Sequence, residues 1–462
     1  MSKGLERIVR DVKERGPAIA EMAALGRFVR GIDVGGIDLP PLPDEEITPG
    51  SYHRDILTLE PLEVVLLSWP PGVASAVHHH DGFAGHVLVL DGQLENIAYT
   101  IKDGVMTDRM HMLAGPGGVV PEPDGIIHVL RNPDRMDWAR TLHFYFPALT
   151  DLDGMRIFDL SNGTIATLNS SAKAASFSEP ESSFSKLEKE AFRFVPFERM
   201  PQARSHRIRP VVPKPTSERI IDMVRAYYEE QAERYDDADA RDPIRTNYTE
   251  GVNALIAEAL AKSERMEAML ALACGTGRRA SDIRQASGRD YALWGVDLSG
   301  AMADIATERG IHAINARWTE AEVPRDHFDA CTILYAFGHV PDAALREAWL
   351  RKVHDALRPG GRLFLDAFDL NDRHEWGPRA RKAYHDLDLG DQGYELGDVF
   401  YVRSGGTHPA FLHYFEEDGL RDLLERCGFA VERIRHVGYV HCAGEVLPPD
   451  EPGMLFVEAV RH

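Results

Sequence analysis

Three histidines in the first third of the chain have the type and spacing of a metal centre. In SAVHHHDG, His78 and His80 stand two apart, so on a strand both imidazoles leave from one face while His79 leaves from the other. His128, in IIHVLRN, falls on a later apolar segment. Three neutral imidazoles on a first-row metal leave positions open for a chelating substrate and dioxygen, although such sites take zinc, copper and nickel as well as iron. An HxH pair by itself is equally at home among ordinary surface or core histidines. Thr141, His143 and Tyr145 alternate along TLHFYFP, so a hydroxyl, an imidazole and a phenol share one face and can form a relay. The plain alternative is a packed aromatic strand. Arg54, in YHRDIL, offers a planar guanidinium that can grip a carboxylate through two hydrogen bonds, or else is a solvated surface charge.

A second chemistry is written in the other half. MLALACGTG is an apolar run followed by Gly275 and Gly277 and then a helical segment, so the backbone can approach a ligand that also faces a helix N-terminus. A glycine-rich loop alone is weak support. About twenty residues on, YALWGVDLSGAM ends a strand with Asp297, where a carboxylate can accept ribose hydroxyls. Arg317 and Trp318 follow, and the indole can stack on a base. His339, in AFGHVPD, should lie at the carboxyl end of a strand, as a general base or as a capping or packing residue.

The elements that must hold these groups differ between the halves. Residues up to about 50 carry helical periodicity and then a Pro/Gly-rich stretch that ends any helix. LEVVLLSW, HVLVLDGQL, VVPEPDGIIHVLRN and RTLHFYFPA are short, rich in β-branched and aromatic residues, and parted by turns, which reads as an all-β sandwich or small barrel. A Ser/Ala/Asn/Thr-rich stretch and the basic RSHRIRPVVPKP mark a boundary, with EAFRFVPFE between them as an extra β element. Beyond Thr216 short apolar runs alternate with helical segments, the pattern of a parallel sheet covered on both faces. The division expected is a first domain over 1–204, a linker over 205–217 and a second domain over 218–462.

Composition narrows the class. With 462 residues, 44% hydrophobic and 27% charged, the chain is globular and long enough for two cores. A net charge of −21 argues against nucleic acid and anionic membrane surfaces as partners. The opening MSKGLERIVRDVKERG lacks the apolar run of a secretory signal, and no stretch is apolar enough to span a bilayer, so a cytoplasmic protein is expected. Cys274, Cys331, Cys427 and Cys442 have no metal-type spacing and read as reduced thiols.

From Tyr52 to Tyr145 the order YHRDIL, LLSWPPGVASAVHHH, GHVLVLDGQLE, GIIHVLRN and TLHFYFP resembles the cysteine dioxygenase family of iron cupins. The resemblance implies a cupin barrel with His78, His80 and His128 holding Fe(II), and Arg54 with Tyr52 binding a substrate carboxylate. It also implies a catalytic Thr141, His143 and Tyr145, with Thr where the family has Ser. Animal members carry a cysteine that forms a thioether with the tyrosine; the matching residue here is Gly85, as in many bacterial relatives. Relatives acting on 3-mercaptopropionate carry Gln at the place of Arg54, so the resemblance leans toward cysteine or a close amino-thiol carboxylate.

From Ile220 to the C-terminus the order of MVRAYYEEQAERYDD, MLALACGTG, YALWGVDLSGAM, FDACTILYAFGHVPD, LRPGGRLFLDAF and LRDLLERCGFAVERI resembles class I methyltransferases, a Rossmann-like α/β fold. S-adenosylmethionine is the implied cofactor, with Tyr235, Ala273, Gly275, Gly277, Asp297, Leu298, Arg317, Trp318 and Leu334 around it. Ala271 replaces the usual acidic residue of the first motif and Ala273 its first glycine. The expectation is a bifunctional enzyme that oxygenates the sulfur of a small thiol and methylates the same substrate or product. A methyltransferase with a cupin used for ligand binding or dimerisation, and a dioxygenase with an inactive C-terminal partner, stay open. So do homodimerisation, the methylated atom and the order of the steps.

Overall fold

The computed structural model describes residues 2–42, 51–196, 206–403 and 409–462, and divides into two compact units. The first comprises Met1–Pro215 together with Leu387–Tyr394 and Phe400–Thr407; the second comprises Thr216–Asp386, Glu395–Val399 and His408–His462.

In the first unit, helices α1 (Lys3–Arg15) and α2 (Met22–Arg30) precede nine principal strands. These are β1 (His53–Thr58), β2 (Glu63–Trp69), β3 (Val77–His79), β4 (Ala84–Asp91), β5 (Leu94–Lys102), β6 (Val105–Ala114), β7 (Val119–Glu122), β8 (Ile127–Arg131) and β9 (Ala139–Phe146). One sheet runs β1-β2-β9-β4-β7; the other contains β3-β8-β5-β6, extended beyond β3 by 156–159, 164–168 and 184–188. The side-chain period of two sets the inside and outside of the first sheet. Val64, Leu66, Leu88, Leu142 and Phe144 face out and pack with Leu5, Ile8 and Val12 of α1 and Leu25 and Val29 of α2. Their neighbours Thr141, His143 and Tyr145 therefore face in. Because both faces are covered, every residue of β2 is buried, which is why LEVVLLSW reads as a continuous apolar run.

Of the stretch read as a linker, residues 206–208 pair antiparallel with 401–403, and Val211–Val212 pairs in parallel with Leu113 and Ala114 of β6. Residue 205 lies outside the described residues. The extra β element expected around EAFRFVPFE is a two-residue strand, Arg193–Phe194, beside Val105 and Met106; residues 197 and 198 are not among those described. The side chain of Gln392 clasps Val119, accepting its N–H and donating to its carbonyl, both at 2.9 Å.

The second unit holds a seven-stranded sheet in the order 312–315, 292–297, 268–272, 328–333, 357–367, 454–461 and 429–437. The first five strands are parallel; 454–461 runs antiparallel between 357–367 and 429–437, so 429–437 points the same way as the first five. Helices α3 (Ser217–Gln231), α4 (Tyr235–Ala240), α5 (Pro243–Ala261), α6 (Arg278–Ser287), α7 (Gly300–Glu308) and α8 (Ala343–Ala356) flank it. Separate apolar clusters line the two faces, as a parallel sheet requires. Ligand sites in such sheets open at the carboxyl ends of the strands, where Ala273, Asp297 and Leu334 lie. No helix among the described residues is long and apolar enough to cross a membrane.

Candidate metal centre and nucleotide cavity

β3 and β8 pair with His78 opposite His128, and β3 delivers His80 just beyond its end. The Nε2 atoms of His80 and His128 are 3.0 Å apart and those of His80 and His78 are 3.3 Å apart. Each ring is turned from behind: His78 Nδ1 donates to the Ala76 carbonyl and His128 Nδ1 to Asn96 Oδ1, both at 3.0 Å. That assignment leaves their Nε2 lone pairs facing the gap. Burial pushes His78 below the usual histidine range and His80 and His128 well below it, so all three are neutral. Neutral lone pairs aimed at one another repel unless a cation lies between them. Metal–imidazole bonds of about 2.0–2.1 Å place neighbouring nitrogens about 3.0–3.4 Å apart, so the donor set fits a first-row ion.

The relay faces this group from the other sheet, with the Tyr145 and His80 ring centroids 5.9 Å apart. Thr141 Oγ1 lies 2.8 Å from His143 Nε2, and His143 Nδ1 lies 2.8 Å from the Tyr145 hydroxyl. Burial, with the Arg54 charge second, takes His143 down to about 3. Tyr52 packs its ring on Trp69 at 4.3 Å. Gly85 lies under the Tyr145 ring: a Cβ there would come within 2.6 Å of Tyr145 Cδ1 and 2.1 Å of the Phe144 carbonyl. The room that a cysteine would need is thus taken by the tyrosine.

Two carboxylates in this centre were not singled out from sequence. Glu63 is fully buried, bonded by the Arg54 guanidinium and by the Leu149 N–H at 3.0 Å, so Arg54 already has a carboxylate partner. Glu122 is fully buried too, with Oε1 3.7 Å from His128 Nδ1 and Oε2 4.0 Å from His80 Nε2. Neither of its oxygens makes a hydrogen bond of good geometry. Burial raises it to about 8, with the nearby Tyr145 hydroxyl pulling the other way. Both glutamates end or begin strands whose alternation would have shown them facing inward, had β2 and β7 been placed in one sheet with β9.

In the second unit a cavity of about 530 Å³ is lined by Tyr235, Ala273, Gly275, Asp297, Leu298, Arg317, Trp318 and Leu334, and also by Tyr228 and His339. Gly277 is not in its wall. It caps α6 at φ 77°, and a Cβ there would come 2.4 Å from Ile311, so this glycine serves close packing. Asp297 accepts the Gly275 N–H at 2.8 Å and the Ser299 N–H at 2.9 Å. Burial nevertheless lifts it to about 6, those backbone bonds opposing. Asp297 thus orders the loop from the neighbouring strand, while Ala271 is buried in the sheet and lines, with Ala273 and Gly275, a smaller adjoining pocket of about 60 Å³ rather than the main cavity. Ala273 occupies the left-handed region at φ 48°, where glycine is the easy choice. Trp318 is held in the core by a 3.0 Å bond from its indole to the Trp349 carbonyl, and Arg317 pairs with Glu218. His339 Nδ1 lies 2.7 Å from the Phe411 carbonyl, so it carries the proton, and Nε2 accepts from the Tyr228 hydroxyl at 2.9 Å.

Residues 58–159 match the family model for cysteine dioxygenase type I, and residues 244–434 match a methyltransferase-domain model. The ubiquinone/menaquinone biosynthesis C-methyltransferase of Brucella anthropi is 39% identical over 109 residues, 21% of this chain and 40% of that protein. This chain therefore spans well under half the length of that curated relative. A SAM-dependent methyltransferase from Methanosarcina mazei aligns at 19% identity and a TM-score of 0.36, over 48% of this chain and 97% of that one. The 1,6-didemethyltoxoflavin-N1-methyltransferase of Burkholderia thailandensis, solved with 1,6-didemethyltoxoflavin and S-adenosylhomocysteine, aligns at 16% identity and a TM-score of 0.37, over 54% and 91%. The chain carries a cysteine dioxygenase-like domain of strand-rich sheets followed by a class I methyltransferase fold.

Proposed function

We propose that the protein is a bifunctional enzyme that oxygenates the sulfur of cysteine or a related small thiol carboxylate to a sulfinate and methylates the same substrate or its product. The observation that carries the reading is the convergence of three neutral imidazoles on one gap, faced by the Thr141, His143, Tyr145 relay. His78, His80 and His128 would hold Fe(II), which supplies thiolate binding and dioxygen activation. Arg54 would take the substrate carboxylate by exchanging it for Glu63, a like-for-like replacement at the guanidinium. Tyr145 presents its hydroxyl on the triad's side and steers whatever binds there. The reaction partners are a small thiol and dioxygen, with no nucleic acid or membrane. Its four free cysteines suit the cytoplasm.

In the second unit S-adenosylmethionine would supply the methyl group, with Asp297 accepting the ribose hydroxyls and Gly275 giving backbone access. Alignment of donor and acceptor provides most of the rate in such a displacement. Where the acceptor is an amine, its proton can pass to Tyr228 as the Tyr228 proton passes to His339 Nε2; a carboxylate or sulfinate oxygen needs no base.

The test is oxygen uptake by the iron-loaded protein with L-cysteine, with and without S-adenosylmethionine, followed by mass spectrometry. A methylated sulfinate is expected. Absence of uptake with cysteine and related thiols would leave a methyltransferase whose cupin binds a ligand or a second subunit.

A further inference from the structure

Glu122 is a carboxylate with no visible reason to be buried. It is inaccessible to solvent, neither oxygen makes a hydrogen bond of good geometry, and a group of this kind persists in a folded protein only with a compensating charge or donor. The fold brings two candidates to it.

The first is the tyrosine. Gly85 of β4 pairs with Glu122 on one side and with Tyr145 on the other, so the two side chains leave the same face of the sheet with only a glycine between them. The polarity of the relay matters here. The Trp69 indole N–H can only donate, and it donates to Thr141 Oγ1 at 2.8 Å. Among the described residues Thr141 has one other side-chain partner, His143 Nε2, to which its own proton must therefore go. His143 is then protonated on Nδ1 and donates to the Tyr145 oxygen. The Tyr145 proton is left pointing out of the relay. Of the two carboxylates that flank Tyr145 across the sheet, Glu63 is already engaged by Arg54 and the Leu149 N–H, whereas Glu122 is not.

The second candidate is the cation. Glu122 stands on the relay's sheet yet lies within 4.0 Å of nitrogens of His80 and His128 on the other sheet. We propose that Glu122 is a positioning residue of the metal centre, the acceptor of the Tyr145 hydroxyl and the counter-charge of the ion held by the three histidines. It fixes the tyrosine by a hydrogen bond where Gly85 forbids a covalent tether. The inference rests on the reading of the triad as a metal site.

The experiment titrates Co(II) into the full-length protein and into Glu122→Gln, Glu122→Asp, Tyr145→Phe and His128→Ala, following the visible Co(II) bands and affinity by chelator competition. Glu122→Gln should bind Co(II) about 10- to 100-fold more weakly, the range for a residue that orients metal ligands, with shifted bands. Glu122→Asp should recover part of the affinity, which a purely structural role would not predict. Metal-free Glu122→Gln should melt no lower than the wild type, since it loses an unpaired carboxylate. Glu122→Gln affinity within twofold of wild type with unchanged bands, while His128→Ala abolishes binding, overturns this role and leaves the triad standing. Failure of the wild type to bind Co(II) or Fe(II) removes the metal site and Glu122's role with it.

Discussion

A buried hydroxyl relay has direction only if something at its end can act in one sense, and Trp69 is that group. Trp69→Phe removes the donor and frees Thr141 to turn, so Tyr145 should lose its preferred orientation. Oxygen uptake should fall about 10- to 100-fold with Co(II) affinity unchanged, a split that separates the relay from the triad. On the proposed reading, Asp297 would make cofactor binding in the second unit depend on pH. Its folded value is raised to about 6, so it is protonated in acid, where it would accept ribose hydroxyls poorly, and ionises as pH rises through 6. The same shift means that its contribution to stability, full below the ordinary carboxylate value, is lost as pH rises through 6. S-adenosylhomocysteine binding measured by calorimetry should tighten between pH 5 and 7 and then level, and Asp297→Asn should flatten that dependence.

Among the elements, the loop after strand 268–272 carries a residue in the left-handed region. Ala273 sits at φ 48° because its neighbours on both sides are fixed, by the sheet before it and by the Gly275 N–H bond to Asp297 after it. Ala273→Gly should raise stability by about 0.5–1 kcal/mol, read from denaturant midpoints, since an L side chain in the left-handed region costs about 1–2 kcal/mol and the freer unfolded chain of glycine offsets about 0.4–1 of it. At the other end of the chain α1 is a short helix whose value is its apolar stripe. Leu5→Ala, which empties a buried position in the cluster that includes Val64 and Leu142, should cost about 2–4 kcal/mol and loosen the outer layer that covers the relay strand.

The molecule as a whole has a feature no local reading reaches: the first unit is finished by chain that lies some 170 residues later, Leu387–Tyr394 and Phe400–Thr407. Gln392 satisfies both backbone groups of Val119, and the Tyr394 hydroxyl bonds both backbone groups of Val211. Gln392→Ala leaves a buried N–H and carbonyl without partners and should cost about 1–3 kcal/mol, visible in calorimetry as a lower midpoint for the first unit. A fragment of residues 1–215 should be less stable still, because it lacks both clasps.

The two fold types are legible in the sequence, since periods of two and of alternating strand and helix are local properties of the chain, and so are His78 and His80, whose two-residue spacing puts them on one face of any strand, while His128 comes from a later apolar segment. The sequence also marked Thr141, His143 and Tyr145 as sharing a face. Which carboxylates accompany them depends on strand order. Glu63 and Glu122 look like ordinary acidic residues until strand order places them on either side of Tyr145, with Gly85 between Glu122 and the tyrosine. Gly277 and Gly275 are alike as letters, and packing against Ile311 alone separates the structural one from the one in the cavity wall. The reason is the same each time: spacing along a chain sets which side of its own strand or helix a residue takes, whereas its partners are set by sheet order and long-range closure, which are properties of the whole chain.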